Sequence, residues 1–156
     1  MIFRHVILSP LTYRIIRYGL SLVFIAAGLT KLVNLDIFLM ILEIYIEESS
    51  FVIPMTLLKP AALVLAFFEI VTGLGLFFDL RGFLTLISVQ MACFIALLLY
   101  GIFTGLDVPC GCFVLNDPDK PFHEGLAPAL YRDLVLVAAV IYLYWWRLRS
   151  KEPMTP

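Results

Sequence analysis

At 156 residues, with 62% hydrophobic and 15% charged side chains and a mean hydropathy of +1.00, the chain departs strongly from soluble domains, which average about 45–50% apolar and about 25% charged residues. It is expected to be an integral membrane protein of one helical domain, residues 1–156, with no separate soluble unit. A net charge of -1 gives no reason to expect nucleic acid, so the expected partners are membrane lipid, a lipid-soluble cofactor or another protein.

Crossing about 30 Å of hydrocarbon takes roughly 20 mostly apolar residues that satisfy their own backbone hydrogen bonds. The first qualifying segment is 15–33. Basic residues ahead of an apolar run that reaches Ala26-Ala27-Gly28 give it the form of a signal sequence, but three further spans follow, so it is expected to stay as an anchor. Next, Leu35, Phe38, Leu39, Leu42 and Ile46 recur at helical spacing, with Asp36, Glu43 and Glu47 on another face. That pattern predicts a short amphipathic helix on the membrane surface, partly covering the bundle mouth. Pro54 and Pro60 are expected to break the chain before a second span at 61–78, with Pro60 in its first turn.

Asp79-Leu80-Arg81-Gly82 is a tight link that makes the second span and the third, 83–103, antiparallel neighbours. A polar segment, 104–129, leads to the last span at 130–146, where Tyr142, Tyr144, Trp145 and Trp146 suit an interfacial belt. Gly101 and Gly105 have the small-xxx-small spacing of close helix packing, expected to serve the bundle interior. The fold class is therefore all-α: a four-transmembrane-helix bundle with a short amphipathic surface helix between the first two spans.

Lys and Arg collect on the cytoplasmic side of a membrane. With the amino terminus inside, that side holds seven basic residues, Arg4, Arg14, Arg17, Arg81, Arg147, Arg149 and Lys151, against four outside, Lys31, Lys59, Lys120 and Arg132. Both termini are expected to be cytoplasmic and the 104–129 segment periplasmic or extracellular, in a bacterial inner membrane. Disulfides form and persist on that outer side.

Cys110-Gly111-Cys112 sits in this outward segment, its thiols close enough to bridge, and Gly111 tolerates the backbone of so small a ring. Strained, exposed disulfides are labile, which favours a redox pair that exchanges with a partner thiol. Two thiols with His123 nearby also suit Cu(I), yet fall short of the four ligands of a closed zinc site. Cys93, mid-way along the third span and about 15 Å from its outer end, is expected to pack as a small hydrophobe.

Glu69 falls within the second span, where an ionisable side chain is costly and faces the bundle interior. Its expected partner is Lys31, as a structural pair or part of a proton pathway through the bundle. Arg132 and Asp133, near the start of the last span, are candidates to line the mouth beside the cysteines, where the arginine can favour a thiolate or bond a quinone oxygen. His123 is a candidate base, though a lone loop histidine is more often simply solvated.

Between Arg17 and Trp146 the pattern resembles the MauE/DoxX group of small four-helix membrane proteins. Ala27-Gly28-Leu29-Thr30-Lys31-Leu32 is similar to the group's first-helix motif, and Glu69 with Gly73, Leu76 and Arg81 to its second-helix signature. Cys110-Gly111-Cys112-Phe113, with Arg132-Asp133, resembles the MauE branch, where glycine is usual at the position occupied here by Val114. The resemblance implies help with disulfide formation in periplasmic proteins, beside a thioredoxin-like or other thiol-containing partner. Cys110 and Cys112 are then the catalytic pair, with Lys31, Glu69, His123, Arg132 and Asp133 in support. A quinone is the one implied cofactor, with Arg132 and Phe113 as its candidate contacts; no metal site is expected in this reading. The alternative is a non-enzymatic membrane scaffold or Cu(I)-binding accessory using the same segment.

Overall fold

A computed structural model describes residues 10–48, 54–106 and 126–149. Among these residues there are five helices and no strand: α1 (Pro10–Val33), α2 (Leu35–Glu48), α3 (Met55–Phe77), α4 (Phe83–Thr104) and α5 (Leu126–Arg149). α1, α3, α4 and α5 are each long and apolar enough to cross a membrane. All four run past the apolar windows read from sequence. Residues such as Arg14 and Arg147 belong to the helices too, because the backbone stays hydrogen-bonded through the membrane interface.

The helices form a ring, α1 packing on α3 along most of its length and α4 on α5, while the α3–α4 and α1–α5 seams close it. Two glycines permit the close α1–α3 approach. A Cβ on Gly28 would lie 2.6 Å from Ile70 Cγ1 and 2.7 Å from the Ala66 carbonyl oxygen; one on Gly73 would lie 3.0 Å from the Ser21 carbonyl oxygen. α2 follows α1 after Asn34 and lies against α3 and α1, burying Phe38 and Ile41. Its Tyr45 reaches a cluster of Leu98, Leu126 and Ala129 on α4 and α5, so the amphipathic helix does cover one end of the bundle. This is called the α2 end below, and the opposite one the Asp79 end.

Three local expectations need correction. Pro60 lies inside α3, which starts at Met55 after the extended Pro54. Only one backbone bond is forfeited, from position 60 to the Thr56 carbonyl, and the ring sits on an exposed face near the helix start. Cys93 is exposed on the outside of the bundle rather than packed within it. Outside a membrane bundle the surroundings are as apolar as its core, so a mid-span cysteine gains nothing by turning inward. Gly101 does pack internally, against Tyr45 and Leu126, but Gly105 is the left-handed cap of α4 (φ 71°). There the Leu106 amide donates to the Gly101 carbonyl at 2.9 Å, closing the helix.

The α3–α4 link uses the same device with a different residue. Asp79 takes the left-handed conformation (φ 56°), and the Leu80 amide donates to the Gly75 carbonyl at 3.0 Å. Glycine is the usual occupant of this position; aspartate tolerates it and adds a carboxylate.

Candidate functional site

Lys31 is in the last turn of α1, and Glu69 is midway along α3, opposite the Gly28 contact. The two side chains meet as an ion pair, each only 1% exposed. The ammonium group also lies 4.4 Å from the Phe94 ring centre and 5.3 Å from that of Phe38. Lys31 thereby joins α1 to α2, α3 and α4, and aromatic faces take up part of the desolvated charge. Only one carboxylate oxygen of Glu69 is used. Oε2 is buried with no hydrogen-bond partner among the described residues.

α5 brings the second half of the cluster. Asp133 is buried and its Oδ1 accepts from Arg132 Nε and Nη2, both at 3.3 Å, while Arg132 keeps 30% of its side chain exposed. Lys31, Glu69, Arg132 and Asp133 together line a cavity of about 30 Å³, whose remaining walls include Val23 and Ala27 of α1, Met91 and Phe94 of α4, and Leu136 of α5. Two carboxylates and two cations thus face one small space between α1, α3, α4 and α5.

One turn further along α3, the Thr72 hydroxyl lies 3.1 Å from Gln90 Oε1 on α4 and 2.9 Å from the Phe68 carbonyl oxygen. Gln90 Nε2 is buried without a partner among the described residues. Reversing the amide lets Nε2 donate to Thr72, whose proton then goes to Phe68, and leaves Oε1 open instead. Either way Gln90 holds one unsatisfied polar atom in the core. The sequence carried a weak signal for this tie: Thr72 is three residues after Glu69, on the same helix face, and Gln90 is a lone amide in an apolar span.

The sequence reading missed a second ionic group, at the Asp79 end. Asp79 Oδ2 pairs with Arg17 Nη1 at 2.7 Å, and Oδ1 accepts from Arg147 Nη2 at 2.5 Å and from the Tyr13 hydroxyl at 3.1 Å. Arg147 Nε donates to that same hydroxyl at 3.1 Å, and Trp146 stacks on the Tyr13 ring. The cap aspartate thus clamps α1 to α5.

Cys110, Cys112, Phe113 and His123 lie outside the described residues, so the placement of the cysteine pair and of the Cu(I) and quinone candidates among them is not part of this geometry. Among the described residues no three His, Cys, Asp or Glu side chains are grouped to hold a metal ion. Of the candidates that are described, Lys31, Glu69, Arg132 and Asp133 come together around one cavity.

Four apolar spans around a buried ionic cluster define a multi-pass helical membrane protein. The chain belongs to the family of methylamine utilisation protein MauE, whose model matches residues 9–146. No curated protein and no solved structure matches it.

Proposed function

We propose that the protein is a membrane thiol–disulfide oxidoreductase, or the redox accessory of one, working through Cys110 and Cys112. The observation that carries this reading is where the cysteine-bearing segment is anchored. Its flanking residues, Leu106 on the α4 side and Leu126 on α5, pack in one cluster at the α2 end. Cys110 comes four positions after Leu106 in the sequence, so at about 3.5 Å per residue the chain can carry its Cα no more than about 14 Å from that anchor. Arg132, in the second turn of α5, supplies a partly exposed cation that favours a thiolate.

In the oxidising direction, a partner thiolate attacks one sulfur of the Cys110–Cys112 disulfide. That S–S bond breaks, a mixed disulfide forms, and the released cysteine leaves as a thiolate. The partner's second thiolate then displaces the remaining cysteine, giving the partner a disulfide and this chain a dithiol once two protons are taken up. Resetting the pair requires an acceptor of two electrons and two protons, either a disulfide of a thioredoxin-like protein or a quinone.

Alkylation mass shifts, with and without reductant, test the proposal in membranes carrying wild type, Cys110→Ser or Cys112→Ser. The wild-type pair is expected to resist alkylation until reduced, and one of the two variants is expected to accumulate a mixed disulfide. Free thiols under oxidising conditions, with no mixed disulfide in either variant, would sink the idea.

A further inference from the structure

Glu69 invites the idea of a proton path along the bundle, yet the core divides that axis. Between the Gln90–Thr72 level and Asp79, Leu20 of α1, Leu76 of α3, Ile87 of α4, and Val140 and Leu143 of α5 form one apolar cluster, none more than 5% exposed. All four spans contribute to it. Ser21, at the same level, donates its hydroxyl to the Arg17 carbonyl oxygen at 2.8 Å and offers no onward step. This layer closes the core toward Asp79.

On the α2 side of that layer the polar groups are left open. Glu69 Oε2 has no partner among the described residues, although the side chain is 1% exposed, and Gln90 keeps one open amide atom a turn away. Buried polar groups of this kind are ordinarily satisfied by internal water, which needs about 10–15 Å³ and two to four polar partners. The cavity offers about 30 Å³, with two carboxylates as acceptors and an ammonium and a guanidinium as donors. The charged groups facing it are Lys31 from α1, Glu69 from α3, and Arg132 and Asp133 from α5; α4 brings Met91 and Phe94, which do not titrate. Asp133 is near enough to Lys31 and Glu69 for their charges to interact.

We propose that this cavity is a one-ended proton site, in which an internal water links the Glu69 and Asp133 carboxylates and exchanges protons only with the α2 end of the bundle. A proton arriving there passes through the water onto Glu69 Oε2, and Asp133 then balances the charge left on Lys31. No proton proceeds to the other face. The site includes no residue of the cysteine segment: its charged groups belong to α1, α3 and α5.

Two measurements on the full chain in liposomes test it. Infrared spectra on acidification are expected to show a carboxylic C=O stretch that shifts in heavy water within the mixing time, disappears in Glu69→Gln and moves in Asp133→Asn. Absence of such a band, or a band indifferent to Glu69→Gln, overturns the proposal. A pH-sensitive dye inside the liposomes is expected to report no more proton flux for wild type than for protein-free vesicles. Leu76→Asn breaches the apolar layer and raises the flux, and adding Glu69→Gln abolishes the increase. Wild-type flux above background, or Leu76→Asn flux that ignores Glu69→Gln, contradicts a one-ended site; if Leu76→Asn fails to fold, the infrared result on wild type still decides.

Discussion

The two ends of the bundle each hold a carboxylate between basic residues, and they treat it in opposite ways. At one end Asp79 is 42% exposed in its side chain, and both its oxygens are engaged by Arg17, Arg147 and Tyr13. At the other, Glu69 is shut away from solvent, uses one oxygen on Lys31 and turns the other toward a cavity. A saturated, partly solvated network contributes modestly and holds helices in register. A desolvated pair joins helices too, but one that leaves a buried oxygen unbonded costs stability, and such expense concentrates where a protein does chemistry. The contrast fits a structural role for the Asp79 end and the proposed proton site at the Glu69 end.

Removing one partner from each network is the harshest test of that contrast. Lys31→Met leaves a buried carboxylate alone and is expected to cost about 3–5 kcal/mol in detergent unfolding, while Lys31→Met with Glu69→Leu recovers most of the loss. A double variant as unstable as the single would mean that the pair is needed for the fold itself. Next in size is Gly28→Ala, whose methyl group would meet Ile70 and the Ala66 carbonyl oxygen. Forcing α1 from α3 is expected to cost about 1–3 kcal/mol, and to reduce the infrared dependence on Glu69 by lengthening its contact with Lys31. The smallest effect belongs to the Asp79 end. Arg147→Gln loses a pair that is 28% and 42% exposed, and is expected to cost about 1 kcal/mol or less, a loss that shrinks further in high salt.

Hydrocarbon explains what the sequence revealed. A span must be long, apolar and helical, so all four spans and the amphipathic α2 could be read directly, and depth alone paired Lys31 with Glu69. Depth says nothing about facing, however. α4 is apolar around most of its surface, so nothing marked Cys93 as outward, and Gln90 carried only the weak signal of a lone amide. Pro60 was misread because a first-turn proline is only one of its tolerated places; five residues into α3, on an exposed face, it costs a single bond. The Asp79 network escaped notice because Tyr13, Arg17, Asp79 and Arg147 come from three separate stretches of chain, and no local spacing rule joins them. Arg17 and Arg147 had looked like topology signals alone. Arg132 and Asp133 were found because they begin a span at the end where Lys31 finishes one.

The account rests most heavily on the claim that redox exchange belongs to the Glu69 end of the bundle. Mixed-disulfide accumulation should be measured in whichever cysteine variant traps it, Cys110→Ser or Cys112→Ser, combined separately with Glu69→Gln and with Asp79→Asn at matched membrane levels. Glu69→Gln is expected to cut the trapped species severalfold while Asp79→Asn leaves it at the level of the cysteine variant alone. Equal losses in both, or a loss confined to Asp79→Asn, would contradict the assignment.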